Sequence, residues 1–197
     1  MRPRIVAGTL ALLLLSPFVS AAFAGAPLAN RYDDYFRKYT KRYFGVAFDW
    51  RLFKAQGLVE SSLNAEARSR VGARGVMQLM PRTFRAVQIE NPELGDIGDP
   101  QWNIAAGIAY ARQLWRQWQG DVESTHMRAF MLGSYNAGRS TLLRAQRMAE
   151  ALSLNHRQWP SIEMVAPAVP GWQYQETVNY VLRVFGYLSA MDPKGRL

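Results

Sequence analysis

Residues 49–81 read DWRLFKAQGLVESSLNAEARSRVGARGVMQLMP, and the fold turns on how this stretch is divided. The first part leans apolar and ends in a single acid, Glu60; the second is a loop punctuated by Gly72 and Gly75. With 49–60 helical, Glu60 shares a face with Gly57 and Phe53, three and seven residues back. That is the face a helix normally turns toward its core. A carboxylate there costs free energy unless it is paired, hydrogen-bonded or protonated. Taken alone, the hexapeptide GLVESS fits a frayed helix end or a structural ion pair as readily as a functional acid.

Outward from this stretch the text is helical in both directions. Tyr32, Tyr35, Phe36, Tyr39 and Tyr43 recur at three- and four-residue spacings and predict an amphipathic helix. Asp49 is placed to cap the helix that runs to Glu60, and Pro81-Arg82-Thr83 opens another. Asp99-Pro100 is an N-cap followed by proline at the first helical position, ahead of QWNIAAGIAYARQLWRQW. A helix over roughly 124–135 stops at Asn136-Ala137-Gly138, where asparagine or glycine supplies left-handed backbone. Residues 139–152 read as helix again, and 153–171, with Pro160, Pro167 and Pro170, as irregular. Gln173 to Met191 forms a last helix with Tyr180, Val181, Val184, Phe185 and Leu188 along its buried side. No alternating strand pattern of useful length intervenes, so the predicted fold class is all-α. Trp102, Trp115 and Trp118 fall at helical spacing and read as core.

The 197 residues suffice for one domain with a real core. Its beginning reads as an export signal: basic MRPR, the apolar run IVAGTLALLLL, and Ala22-Phe23-Ala24 in a small-x-small cleavage pattern. The run is short for a membrane span of about 20 residues, and Pro17 interrupts it. The chain is therefore expected to be exported and periplasmic, without a membrane anchor once residues 1–24 are removed.

There is no cysteine, which excludes disulfides, a thiolate nucleophile, thiolate-bound zinc and lipid attachment at a mature N-terminal cysteine. His126 and His156 stand far apart without metal-ligand spacing, and no G-x-S-x-G elbow surrounds a serine, so no metal or other cofactor is expected. The formal charge is +9; setting aside Arg2 and Arg4 leaves 22 basic against 15 acidic residues, or +7. A basic exported protein points to an anionic polymer outside the cytoplasm, such as the carboxylate-rich bacterial wall, rather than to nucleic acid.

Four segments taken in order, ESSLNAEARSRVGARGVMQLMP, DPQWNIAAGIAYARQL, SYNAG and ETVNYV, closely resemble the catalytic domain of soluble-type (SLT) lytic transglycosylases. These are murein-cleaving enzymes of the lysozyme-like superfamily, and the resemblance runs from about Val46 to about Leu188. It implies a lysozyme-like single domain of several short helices around a glycan-binding cleft. The chain then divides into a signal peptide 1–24, an N-terminal helical extension 25–45, the catalytic domain 46–191 and a tail 192–197.

Residue by residue, the resemblance makes Glu60 the single catalytic acid and Ser69 a serine that helps hold the glutamate and substrate. Gln78 would line the sugar cleft with Met77 and Met80 nearby, and Tyr135 and Asn136 would pack under or contact the glycan. The Tyr180 hydroxyl would orient the catalytic carboxyl. Val76 stands where the family more often has leucine, and Ser134 where it has alanine; the proline-rich 153–171 would form a lid or cleft wall.

The chemistry supports the grouping. A general acid must be protonated at working pH, whereas a free glutamate titrates near 4.3; the apolar face around Glu60 disfavours the charged form and raises that value. Most glycosidases add a second carboxylate, but the nearest candidate, Glu66, reads as a solvated loop charge. One acid suffices for the non-hydrolytic route the resemblance implies, in which the sugar's own C6 hydroxyl closes a 1,6-anhydro ring. The expected partner is the peptidoglycan glycan strand, with any envelope or secretion-machine partner unassigned. The alternatives are a lysozyme-like hydrolase using water, and an inactive wall-binding or secretion-apparatus protein that keeps the fold.

Overall fold

α1 (Asp33–Phe44) and α2 (Arg51–Ser61) open a set of eight α-helices in a computed structural model that describes residues 30–192. They are followed by α3 (Pro81–Glu90), α4 (Pro100–Trp118), α5 (Met127–Ala137), α6 (Arg139–Ala151), α7 (Trp159–Val165) and α8 (Tyr174–Ala190), with single 3₁₀ turns at Ser124–His126 and Ala166–Ala168. The expected signal peptide lies outside the described residues, as does the tail beyond Asp192. Among the described residues there is no strand, only isolated bridges of Arg74 with Arg68 and with Leu79. Nor is any described helix long and apolar enough to cross a membrane.

The core is built around α4. Ile104, Ala105, Ala106, Ile108 and Ala111 are fully buried because α1, α3 and α5 pack on different sides of it. Its start is fixed by Asp99, whose side chain accepts from the amides of Gln101 (2.7 Å) and Trp102 (3.3 Å), with Pro100 pre-set behind the cap. Small residues let the helices close in: a Cβ on Gly133 of α5 would stand 2.7 Å from the Trp159 ring. Trp118, Phe130 and Trp159 then meet edge-on, with centroids 5.1 and 5.6 Å apart.

α1 is scaffold. Phe36 and Tyr39 are buried in the common core, and Lys54 of α2, itself buried, is ion-paired with Asp33 at the start of α1. Burying rings such as Phe36 and Phe53 contributes roughly 2–3 kcal/mol each, so the helix drawn from the sequence as an extension is integral to the domain.

The segment 153–171 departs from the irregular reading: it contains α7 and the 3₁₀ turn. Pro160 sits in the first turn of α7, where a missing N–H costs nothing, and Pro167 plays the same part in the 3₁₀ turn. The helix expected over 124–135 begins as a 3₁₀ turn and continues to Ala137, where Gly138 stops it at φ 81°.

Candidate active site

Glu60 stands in the last turn of α2, and the chain leaves that turn by a strained route. Ser62 (φ 54°, ψ 35°) and Leu63 (φ 61°) are both left-handed, a conformation that costs roughly 1–2 kcal/mol for a non-glycine residue. Two contacts hold it. The Ser62 amide donates to Leu58 O at 3.0 Å and the Leu63 amide to Gly57 O at 3.3 Å, occupying the end carbonyls of α2. Leu63 is then tucked, fully buried, against Gly57, where an added Cβ would lie 3.0 Å from Leu63 Cδ2. The glycine three residues before Glu60 is thus what allows the chain to reverse immediately after it.

Ser61 fastens this reversal to the next loop, its Oγ donating to Val76 O (2.8 Å) and accepting from the Asn64 amide (3.1 Å). The loop itself hangs on Asn103 of α4, which is wholly buried. Asn103 Oδ1 accepts from the Met77 amide at 2.8 Å, and its Nδ2 donates to Arg74 O and Ile97 O, each at 3.0 Å. Gly75, at φ +75°, admits that side chain; a Cβ there would stand 2.4 Å from Asn103 Nδ2.

Glu60 is half-buried as a residue, and its carboxyl accepts a 2.6 Å hydrogen bond from the Tyr180 hydroxyl on α8, the helix that packs along α2. Burial pushes Glu60 from 4.5 up to about 7; the Tyr180 hydrogen bond pulls the other way, and the charge of Glu176 adds to the rise. Tyr135 and Tyr180 are themselves held well above the ordinary tyrosine range, by burial first and then by the charge of Glu60. Both therefore remain neutral hydroxyl donors. Tyr135 Oη donates to Met77 O at 2.9 Å while its ring packs on Tyr110, centroids 5.2 Å apart. Asn136 Oδ1 accepts from Thr177 Oγ1 at 2.8 Å, and Thr177 Oγ1 in turn accepts from Trp172 Nε1 at 3.0 Å.

The remaining residues singled out from sequence fall in different places. Gln78 is left-handed (φ 44°), and its Nε2 donates to Gly75 O (2.8 Å) and Ala67 O (3.3 Å). Ser69 Oγ accepts from the Ala73 amide at 3.0 Å, closing its own loop. Met80 is exposed. Met77 is a correction: its side chain is fully buried and fills the space over Gly107 of α4, where a Cβ would stand 2.7 Å from Met77 Cγ. Fully buried, it offers no surface to a ligand.

Sequence reasoning missed Asn103, Ser61 and Glu176. A lone asparagine in the apolar run of α4 was a usable signal for the first; the partners of the other two are set by tertiary packing.

A test of the tyrosine follows directly. Tyr180→Phe removes a donor that favours the ionised carboxylate, so the Glu60 pKa should rise further. The alkaline limb of the pH–rate profile should move upward while the rate falls about tenfold, the worth of one hydrogen bond. An unmoved limb would show that the hydroxyl does not act on Glu60.

The transglycosylase SLT domain family matches residues 34–157. Among curated proteins, the membrane-bound lytic murein transglycosylase F of Pseudomonas fluorescens is 29% identical over 163 residues, which is 83% of this chain and 31% of the relative. The chain spans about a third of the length of the curated relatives it matches. Among solved structures, the 70 kDa soluble lytic transglycosylase from Escherichia coli superposes with a TM-score of 0.63 at 26% identity, covering 84% of this chain and 24% of that one. The lytic transglycosylase Slt from Pseudomonas aeruginosa gives a TM-score of 0.67 at 23% identity, over 85% and 25% of the two chains, a likeness of fold.

Proposed function

We propose, from the premise that this chain belongs to the transglycosylase SLT family, that it cleaves the β-1,4 bond between N-acetylmuramic acid and N-acetylglucosamine in peptidoglycan. The cleavage is non-hydrolytic and leaves a 1,6-anhydromuramic end. The observation that carries this reading is Glu60, its pKa near 7 and its carboxyl in a 2.6 Å hydrogen bond from Tyr180. At neutral pH such a group is populated in both forms, which a residue acting first as acid and then as base requires.

The sequence of steps uses that one carboxyl twice. Neutral Glu60 gives its proton to the glycosidic oxygen and the C1–O bond breaks; the muramic 2-acetamido group stabilises the cationic centre. Ionised Glu60 then takes the proton of the C6 hydroxyl as that oxygen bonds to C1, which restores the neutral acid and consumes no water. The tethered hydroxyl has a high effective concentration at C1. Tyr180 holds the carboxyl through both transfers, and Tyr135, Asn136 and Gln78 stand by as glycan contacts, with Ser69 shaping the loop that carries Gln78. Glu176 reaches Glu60 through its field and helps keep it protonated.

Murein lies outside the cytoplasm, so the reading requires export, which the n-region, apolar run and cleavage pattern of residues 1–24 support. Mass spectrometry of murein digested with the full chain tests the chemistry. Transglycosylation yields anhydro products lighter by one water than those of hydrolysis; reducing-end products without anhydro sugar would establish a lysozyme-like hydrolase instead.

A further inference from the structure

Gln56 stands one turn before Glu60 on α2 and is fully buried. Both polar atoms of its side chain are shut off from solvent, and neither closes a full hydrogen bond among the described residues. An amide buried in this way costs free energy that leucine or methionine would not. Packing therefore gives no reason for a glutamine one turn behind the acid.

The neighbour across the helix pair supplies one. α2 packs along α8, and there the side chain of Gln56 reaches Tyr180. Burial first, and then the charge of Glu60, hold the Tyr180 phenol well above its ordinary range; the Gln56 amide pulls the other way, as an N–H turned toward Oη does. The groups that reach Glu60 itself are Tyr180 and Glu176 of α8, while Tyr135 of α5 feels the Glu60 charge. Gln56 thus acts on the acid by way of the tyrosine.

A phenol beside a neutral carboxyl has two options, since it can donate to the acid's oxygen or accept the acid's proton. In the second arrangement the proton that Glu60 must deliver points at the tyrosine instead of the substrate. An amide N–H on Oη occupies the lone pair which that arrangement needs. We infer that Gln56 is a positioning residue: its amide keeps the Tyr180 hydrogen directed at Glu60 Oε1, so that the acid's own proton sits on Oε2, ready for the glycosidic oxygen. The incomplete amide contact fits a bond that tightens only in the substrate complex. A donated N–H also strengthens the 2.6 Å bond from Tyr180 to Glu60. The inference rests on the acid role proposed for Glu60.

Gln56→Met, unbranched and of similar volume, removes the amide and leaves the packing. With glutamate labelled with ¹³C at Cδ, the Glu60 carboxyl is titrated by NMR in the full chain without murein. Its midpoint should rise by about 0.5 pH unit, because the weakened Tyr180 donor favours the ionised form less. The same substitution on a Tyr180→Phe background should move it no further. On murein, kcat should fall roughly threefold to tenfold with KM unchanged, and the urea midpoint should hold or rise. An unmoved titration, or one that moves equally without the Tyr180 hydroxyl, overturns the inference. Should Gln56→Met fail to fold, the Gln56 side-chain amide resonances decide: they should follow the Glu60 titration in wild type and cease to in Tyr180→Phe, and resonances indifferent to Tyr180 overturn the inference equally. A shifted titration beside absent wild-type murein turnover keeps the link from Gln56 through Tyr180 to Glu60 and ends the murein reading; turnover beside an unmoved titration does the reverse.

Discussion

Glu60→Gln should lower murein turnover by about 10³–10⁴-fold and at the same time stabilise the fold relative to wild type near pH 8. The first effect is the loss of the group that both donates and receives the proton, at the upper end of what a positioned acid–base residue contributes. The second comes from linkage. The folded-state pKa of Glu60 is raised from 4.5 to about 7, so folding favours the neutral acid. Below about pH 4.5 both states hold the proton and the residue costs nothing. As pH rises toward 7 the unfolded chain releases its proton first, and above 7 the full penalty of about 3 kcal/mol applies. Glutamine keeps an oxygen for the Tyr180 hydroxyl and never ionises. Urea denaturation of both proteins should therefore show near-equal stability around pH 4 and a gap opening in the variant's favour by about pH 8. A gap independent of pH would mean that Glu60 is not held neutral by the fold, and retained turnover would end the single-acid mechanism.

That trade explains why the acid sits where ordinary packing rules would forbid it. The sequence showed the anomaly, an acid on the Phe53–Gly57 face, and the ordered segments around it showed the family; the helices followed from periodicity, from the Asp99-Pro100 cap and from the stop at Gly138. What stayed illegible was backbone held by distant contacts. Ser62, Leu63 and Gln78 carry left-handed backbone with no local residue cue, because glycine is the usual signal for such geometry and here the glycine is Gly57, six residues before Leu63. Ser134 was visible as a departure from the family's alanine, but its reason lies on α4: it accepts a 2.9 Å hydrogen bond from Trp118 Nε1 in the buried interior. Pro160 misled because proline breaks helices everywhere except in their first turn, and nothing local marks where that turn begins. Met77 misled because nothing in GVMQLM marks it as core, while Gly107, thirty residues away, leaves the space its side chain fills.

Asn103→Ala should be the most damaging substitution outside the catalytic acid, lowering the free energy of unfolding by about 3–5 kcal/mol. The mechanism is three hydrogen bonds lost at once: the Met77 amide and the Ile97 carbonyl are left without a partner, and the Arg74 carbonyl keeps only the Leu79 amide at 3.0 Å. Each buried polar group left unsatisfied costs roughly 1–3 kcal/mol, and part of the sum is recovered where water reaches the loop. The same bonds fix the loop that presents Gln78 and accepts Ser61 and Tyr135 through the carbonyls of Val76 and Met77. Turnover should therefore fall by more than the unfolded fraction accounts for, even at temperatures where the variant is fully folded. Asn103→Asp separates the contributions. It preserves the acceptor for the Met77 amide but replaces the donor to Arg74 O and Ile97 O with a carboxylate oxygen, opposing two carbonyls. If the loop is held chiefly from the Ile97 side, Asp should be at least as harmful as Ala. If the Met77 amide dominates, Asp should recover part of the stability. Chemical denaturation of the two variants beside wild type decides between them, and an Asn103→Ala protein within about 1 kcal/mol of wild type would show that the loop does not depend on this anchor.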